Sequence, residues 1–299
     1  MTAPPRLGPL LAEDDPDGAA HQARVARVLA YVGAGDVYRV NLARRLVARV
    51  APGPAAAAAG DALALYRAID AAAPAPYAGL IEADGVRVVS GSPECFLSRG
   101  PGGGRVVTCP IKGTRPRTGD AAVDRALAAA LADDPKDAAE HVMIVDLERN
   151  DLGRVAITGS VRVDRLGYLV ELPHLYHKVS TVSAALRPGT GLAALLRATF
   201  PGGSITGAPK LRAMEIIAEL EPVPRGPYCG AFGFLGAGGA LELAIAIRIA
   251  VWTGGELRLH VGGGIVADSS PAAELAETED KAAGWRRALA GLAGPAVTA

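Results

Sequence analysis

Tyr77-Ala78-Gly79-Leu80-Ile81-Glu82-Ala83-Asp84-Gly85-Val86-Arg87-Val88-Val89-Ser90 is the stretch that decides the fold class. Two short apolar runs, residues 77–82 and 86–90, flank Asp84-Gly85, a dipeptide that tolerates the positive φ angles of a tight hairpin turn. An antiparallel sheet therefore begins here. Residues 94–98 extend it, and Gly102-Gly103-Gly104 separates Phe96-Leu97 from Val106-Val107. Short strand-like runs recur over residues 155–183. Residues 228–235, 241–251 and 256–261 read as further strands joined by Gly-rich turns.

Helical periodicity surrounds these runs. It predicts helices over residues 21–32, 120–131, 136–149, 192–200, 211–220 and 271–292, the second of them starting at Asp120. Residues 37–46 suit a strand running into a turn. Residues 52–60, rich in Ala, Pro and Gly, read as a loop, and Asp61 can cap a short helix through Leu65 and Ile69. Consecutive strands with interspersed helices define an α+β class with mainly antiparallel sheets. Residues 1–19 read as a flexible N-terminal tail, and 20–295 as a single catalytic domain.

Composition bounds the function. The chain has 299 residues, half of them hydrophobic, enough for a sizeable core. Lys+Arg and Asp+Glu both number 31, so no basic excess points to nucleic acid as a partner. Three cysteines with no CxxC pair argue against a disulfide framework or zinc knuckle and for a reducing compartment. No apolar run reaches 18 residues, and the first residues lack the basic start and apolar stretch of a signal peptide. The expectation is a cytoplasmic protein that engages no membrane. Only five of the cationic residues are lysines (112, 136, 178, 210 and 281), so a lysine here is seldom casual surface charge.

Several residues could carry chemistry. Asp137 and Glu140, and Glu274 and Glu277, are three apart on predicted helices, which puts each pair on one helix face. Four hard oxygens would suit Mg²⁺, although the spacing alone is that of any solvated face. Gly262-Gly263-Gly264 follows a predicted strand; it is either a flexible turn or a backbone cradle for an anion. The run 202–210 has Gly202 and Gly207 at P-loop spacing but continues Ala208-Pro209-Lys210, and a nucleoside triphosphate site is rejected. Lys112, between Ile111 and Gly113, is an exposed loop lysine or, if desolvated in a pocket, a nucleophile. His177 is an acid/base or a structural histidine. No Gly-x-Cys-x-Gly thiol nucleophile occurs, so glutaminase chemistry is not expected within the chain.

With these motifs in view, the chain resembles the chorismate-utilising enzymes. The resemblance runs in motif order from about residue 21 to 290. It is carried by Lys136-Asp137-Ala138-Ala139-Glu140-His141-Val142-Met143-Ile144-Val145-Asp146-Leu147-Glu148-Arg149-Asn150-Asp151, by residues 202–215, by Tyr228-Cys229-Gly230-Ala231 and by residues 262–269. It implies two packed, mainly antiparallel sheets with helices outside, the anthranilate synthase component I-like fold, with a shortened N-terminal region. That shortening implies a fold completed differently, completed by a partner, or left with exposed sheet edges. The resemblance further implies Glu140 and Glu277 as direct Mg²⁺ ligands, Asp137 and Glu274 as holders of metal-bound waters, and Gly262, Gly263 and Gly264 as the cradle of the chorismate ring carboxylate. Tyr228 and Arg248 would clamp the enolpyruvyl carboxylate, and Thr114 and His177 would stand at catalytic positions.

Within the family, Pro110-Ile111-Lys112-Gly113-Thr114 resembles the aminodeoxychorismate synthase branch, and Pro-Ile-Ala-Gly-Thr would mark the anthranilate synthase branch. The lysine form implies attack of Lys112 on C2 of chorismate, with Glu94 protonating the leaving C4 hydroxyl. Ammonia, delivered by a separate glutamine amidotransferase subunit, then enters at C4. Water-using members carry a lysine base where Arg39 stands, and an always-protonated guanidinium is a poor base. The remaining readings are anthranilate synthase component I or a non-catalytic chorismate-binding remnant.

Overall fold

The computed structural model describes residues 8–12, 15–49 and 62–293. The chain divides into two compact units, so the single domain expected over 20–295 is built from interleaved segments. Met1–Pro93, Pro209–Gly230 and Ala246–Ala299 form the first, and Glu94–Ala208 with Ala231–Ile245 the second.

In the first unit, the hairpin read from Asp84-Gly85 forms as β2 (Tyr77–Ala83) and β3 (Val86–Ser92), with φ of 49° at Asp84 and 77° at Gly85. These strands join β12 (Ile249–Thr253), β13 (Glu256–Ile265) and β1 (Arg39–Arg49), antiparallel in the order β2-β3-β12-β13-β1. One core joins this sheet to α2 (Ala62–Ala72) and α7 (Pro271–Ala293) through Leu46, Leu65, Ile69, Leu259, Trp252 and Trp285. Another joins β1 to α1 (Ala19–Gly33) and α6 (Lys210–Leu220) through Val25, Val28, Leu42 and Ile216. Leu11 bridges Val47, with Leu10 and Ala12 buried beside it, so this part of the expected tail packs onto β1. The loop expected at 52–60 and the cap expected at Asp61 lie outside the described residues.

In the second unit, β10 (Ala231–Leu235), β11 (Leu241–Ile245), β4 (Cys95–Arg99), β5 (Arg105–Cys109) and β8 (Leu175–Ala185) are neighbours in that order. β6 (Ile111–Pro116) and β7 (Arg162–Glu171) also pair antiparallel with β8. Asp120 caps α3 (Ala121–Asp133), accepting from the backbone N–H groups of Ala122 and Val123. Asp134 caps α4 (Pro135–Gly153), which has Pro135 at its start, where the missing N–H costs nothing. α5 (Leu192–Thr199) and the two-residue β9 (Gly207–Ala208) complete the unit. Two antiparallel sheets with helices are thus present, as expected.

Two strand readings need correction. Residues 241–251 are not one strand: β11 and β12 belong to different sheets, and Arg248 between them sits at φ 48°, a conformation that ends regular pairing. Tyr228 and Cys229 precede β10 rather than lie in it, with Cys229 at φ 63°. Among the described residues, no helix is long and apolar enough to cross a membrane.

Candidate active site

The second unit places Lys112 on a β-bulge. β6 and β8 pair in register at Ile111↔Val179 and again at Thr114↔His177, with a shift between. A bulge inserts an unpaired residue and re-aims its side chain. Gly113 makes this possible in two ways. Its φ is +85°, and a Cβ there would lie 2.7 Å from Leu131 Cδ1 and 2.8 Å from Asp137 Oδ2. Lys112 is therefore not in an exposed loop. It is half-buried in a strand, with Nζ 3.4 Å from Glu140 Oε1.

Three further predicted residues lie on β6, β8 and α4. Thr114 Oγ1 and His177 Nδ1 are hydrogen-bonded at 2.9 Å, with His177 buried. Asp137 lies 3.6 Å from Arg115 Nη1. Burial raises the Asp137 pKa, and the Asp134 and Glu140 charges push the same way against Arg115 and Lys178. Glu94, just before β4, is also buried.

Three buried residues on α4 and β8 carry no role predicted from the sequence. His141 is buried and hydrogen-bonded through Nε2 to Ser180 Oγ; burial, then Lys112 and Lys178, lower its pKa to about 4, so it is neutral near pH 7. Glu148 accepts from Thr108 at 2.9 Å. Lys178 is buried and donates to the Ala132 carbonyl at 3.1 Å. The scarcity of lysine was the one signal that could have flagged Lys178.

The first unit assembles another group. Gly262, Gly263 and Gly264 are not a turn; they lie inside β13, opposite Ala43, Leu42 and Asn41 of β1. None needs a positive φ, so what demands glycine is space. A Cβ on Gly263 would lie 2.9 Å from Glu274 Oε2 and 3.2 Å from Glu277 Oε1; one on Gly264 would overlap the buried Arg39 guanidinium. The two α7 carboxylates thus close on the glycine strand. The described β12–β13 pairs end at Ala250↔Leu259, short of the glycines, whose ladder partners lie on β1.

Glu274 is buried and accepts from Ser269 Oγ at 2.6 Å. Lys281, one turn beyond Glu277, donates to Glu277 Oε1 and to the Gly262 carbonyl, both at 2.6 Å. Its i+4 spacing from Glu277 was legible and was overlooked. Tyr228 is buried and stacks on His260 at 5.3 Å between centroids. Burial holds the Tyr228 phenol well above its ordinary pKa, so it keeps its proton to donate. Burial, aided by Arg45, Arg225 and Arg258, lowers His260 to about 4. Arg248 is half-buried, and its carbonyl accepts from the Gly91 N–H at 2.9 Å.

The predicted metal ligands are hard oxygen donors, but among the described residues no group of three or more acidic, histidine or cysteine side chains is gathered to hold an ion. Each unit offers a carboxylate pair on one helix face, and in each pair one carboxylate already faces an ammonium, Lys112 at Glu140 and Lys281 at Glu277. The glycines of the P-loop-like run have a packing role instead. A Cβ at Gly202 would lie 2.8 Å from Ile245 Cδ1, and one at Gly203 2.9 Å from Leu147 Cδ2.

A family model described as chorismate binding enzyme matches residues 2–287. The chain belongs to this family. It is 48% identical over 255 residues to aminodeoxychorismate synthase component 1 of Klebsiella aerogenes, covering 85% of this chain and 54% of that protein. It is 44% identical over 270 residues to anthranilate synthase component 1 of Thermus thermophilus, covering 90% and 56%. Among solved structures, anthranilate synthase component I from Streptococcus pneumoniae superposes with a TM-score of 0.80 at 33% identity, covering 95% of this chain and 60% of that one. The chain spans about half the length of the curated relatives it matches.

Proposed function

We propose that this chain converts chorismate and ammonia to 4-amino-4-deoxychorismate, in the manner of aminodeoxychorismate synthase component I. The observation that carries the reading is Lys112, which the Gly113 bulge holds half-buried against Glu140 and beside His141. An amine so placed can act as a nucleophile once it is deprotonated and leaves its carboxylate partner.

Lys112 Nζ forms a bond to C2 of the substrate as the C4 hydroxyl departs. Glu94, buried just before β4, supplies the proton that turns that hydroxyl into water. Ammonia then bonds to C4, and the C2–Nζ bond breaks to release the lysine. Tyr228, kept protonated, donates a hydrogen bond to a substrate carboxylate, with Arg248 as its cationic partner. The Gly262–264 backbone takes the ring carboxylate. Asp137, Glu140, Glu274 and Glu277 are the proposed Mg²⁺ donors. Bound Mg²⁺ would supply positive charge to a substrate carboxylate. Ammonia would come from a separate glutamine amidotransferase.

A second reading, anthranilate formation, is supported by the 44% identity to an anthranilate synthase component. Product identity separates the two. Incubation with chorismate, Mg²⁺ and ammonium should give 4-amino-4-deoxychorismate, and Lys112→Ala should abolish that product. Anthranilate from the unaltered chain, or full activity in Lys112→Ala, would overturn the reading.

A further inference from the structure

Cys95 and Cys109 face one another across β4 and β5 as directly paired residues. Residues directly opposite in an antiparallel ladder share a sheet face, with Cα atoms about 4.5–5.5 Å apart. That lies within the roughly 4.4–6.8 Å span that a disulfide bridges. Neither thiol is in a disulfide. They are already hydrogen-bonded to one another, and this is the largest influence lowering the Cys109 pKa; Thr181 adds to it, while burial and the Glu242 and Glu94 carboxylates oppose. Cys95 is buried and Cys109 half-buried, so a small reagent meets Cys109 first. The third cysteine, Cys229, has its thiol pushed up to about 12 by burial and is inert by comparison.

The position gives the pair a consequence. Cys95 follows Glu94 directly, and Cys109 stands three residues before Lys112. β4 carries an irregularity just beyond Cys95, where the register shifts before Ser98↔Val107. The strand at this point is therefore not locked by regular pairing on both sides.

We propose that Cys95 and Cys109 form a redox-closing dithiol that a low-molecular-weight disulfide oxidises to a cross-strand bond, lowering turnover by displacing Glu94 and Lys112; the effect on turnover rests on the function proposed above. The Cys109 thiolate attacks a sulfur of oxidised glutathione and expels one glutathione thiolate, leaving a mixed disulfide. The Cys95 thiolate then attacks the Cys109 sulfur and expels the second. The two protein thiols lose two protons and two electrons, and the small disulfide is reduced to two thiols.

The test equilibrates the full chain in glutathione buffers of rising oxidised fraction, then maps peptides without reduction. A Cys95–Cys109 cross-linked peptide is expected, absent in Cys109→Ser, retained in Cys229→Ser and reversed by dithiothreitol. Glutathionylated Cys109 with no cross-link, or no modification at all, would overturn the site. Ammonia-dependent turnover of the same samples should fall at least fivefold on oxidation and recover on reduction. A complete cross-link with unchanged turnover would overturn the control of turnover. A reduced chain without turnover would instead count against the proposed function, and the cross-link map would still decide the dithiol.

Discussion

Replacing Gly113 with alanine tests the bulge that aims Lys112, and its cost can be worked from two separate terms. The first is conformational: at φ +85° an L side chain crowds its own backbone, for about 1–2 kcal/mol. The second is steric. The new methyl would sit 2.7 Å from Leu131 Cδ1, a buried core atom, and 2.8 Å from Asp137 Oδ2. Such overpacking costs roughly 1–3 kcal/mol. Together the second unit should lose about 2–5 kcal/mol. Gly102→Ala is the control, because φ there is +80° but a Cβ meets nothing within 4 Å. It should show the conformational term alone, and the difference between the two variants is the clash. With a urea slope near 2 kcal/mol/M, a loss of about 3 kcal/mol moves the midpoint by about 1.5 M.

The probe must be chosen with the division of the chain in mind. Both tryptophans, Trp252 and Trp285, belong to the first unit, so tryptophan fluorescence would report the wrong one. Hydrogen exchange of β6 and β8 peptides under increasing urea reads the right segment. Asp137→Ala in the Gly113→Ala background should recover part of the loss, since it removes one of the two atoms struck. If Gly113→Ala is no less stable than Gly102→Ala, or if Asp137→Ala brings no relief, the steric account of this glycine is wrong.

Two further outcomes follow from the same geometry. Glu140→Gln and Glu277→Gln should each lower turnover at limiting Mg²⁺ by on the order of 100-fold, since even outer partners of a bound metal are worth roughly 10–100-fold; unchanged rates in both would remove them from the proposed ligand set. His141 and His260 have folded pKa values of about 4, below the ordinary 6.5, so the unfolded chain binds more protons between those limits. Their contribution is therefore complete above pH 6.5 and is lost as pH falls towards 4, by up to about 3 kcal/mol each. His260→Gln should flatten the denaturant-midpoint profile across that window, and an unchanged profile would contradict the buried neutral state.

The sequence was legible where one local rule governs the structure. Asp84-Gly85 announced the β2–β3 hairpin because its two positive φ angles are ones those residues accept, and Asp120 announced α3 because its side chain caps the helix. The i, i+3 carboxylates were likewise placed correctly on α4 and α7. The misreadings arose where tertiary structure overrides the local rule. Apolar residues run on through 241–251, and only the left-handed turn at Arg248, a residue with no preference for it, divides β11 from β12. Three successive glycines left a turn open beside a backbone cradle, and Gly262, Gly263 and Gly264 lie within a strand. Glycine is required there by Ala43, by the α7 carboxylates and by Arg39, and those neighbours come from elsewhere in the chain. The bulge at Lys112 depends on α3 and α4 in the same way, through Leu131 and Asp137.

The choice of cation beside each carboxylate pair is itself informative. Arginine predominates in this chain, yet Glu140 and Glu277 are each partnered by lysine. Elsewhere arginine serves: Arg225 grips Glu221 through two nitrogens, at 2.6 and 2.8 Å, and Arg115 holds Asp134 at 2.9 Å, with Asp137 of the first pair 3.6 Å from the same guanidinium. A guanidinium fork is planar and pre-organised, so it fixes its partner, whereas an ammonium is a compact point charge on a flexible stem that exchanges readily with another cation. Lysine at 112 and 281 thus keeps Glu140 and Glu277 neutralised without committing them. For Glu277 this leaves the oxygen that the proposed metal would take. If the proposed ion took Glu140 as well, Lys112 would lose this partner, an exchange that the fixed fork of an arginine at position 112 would resist.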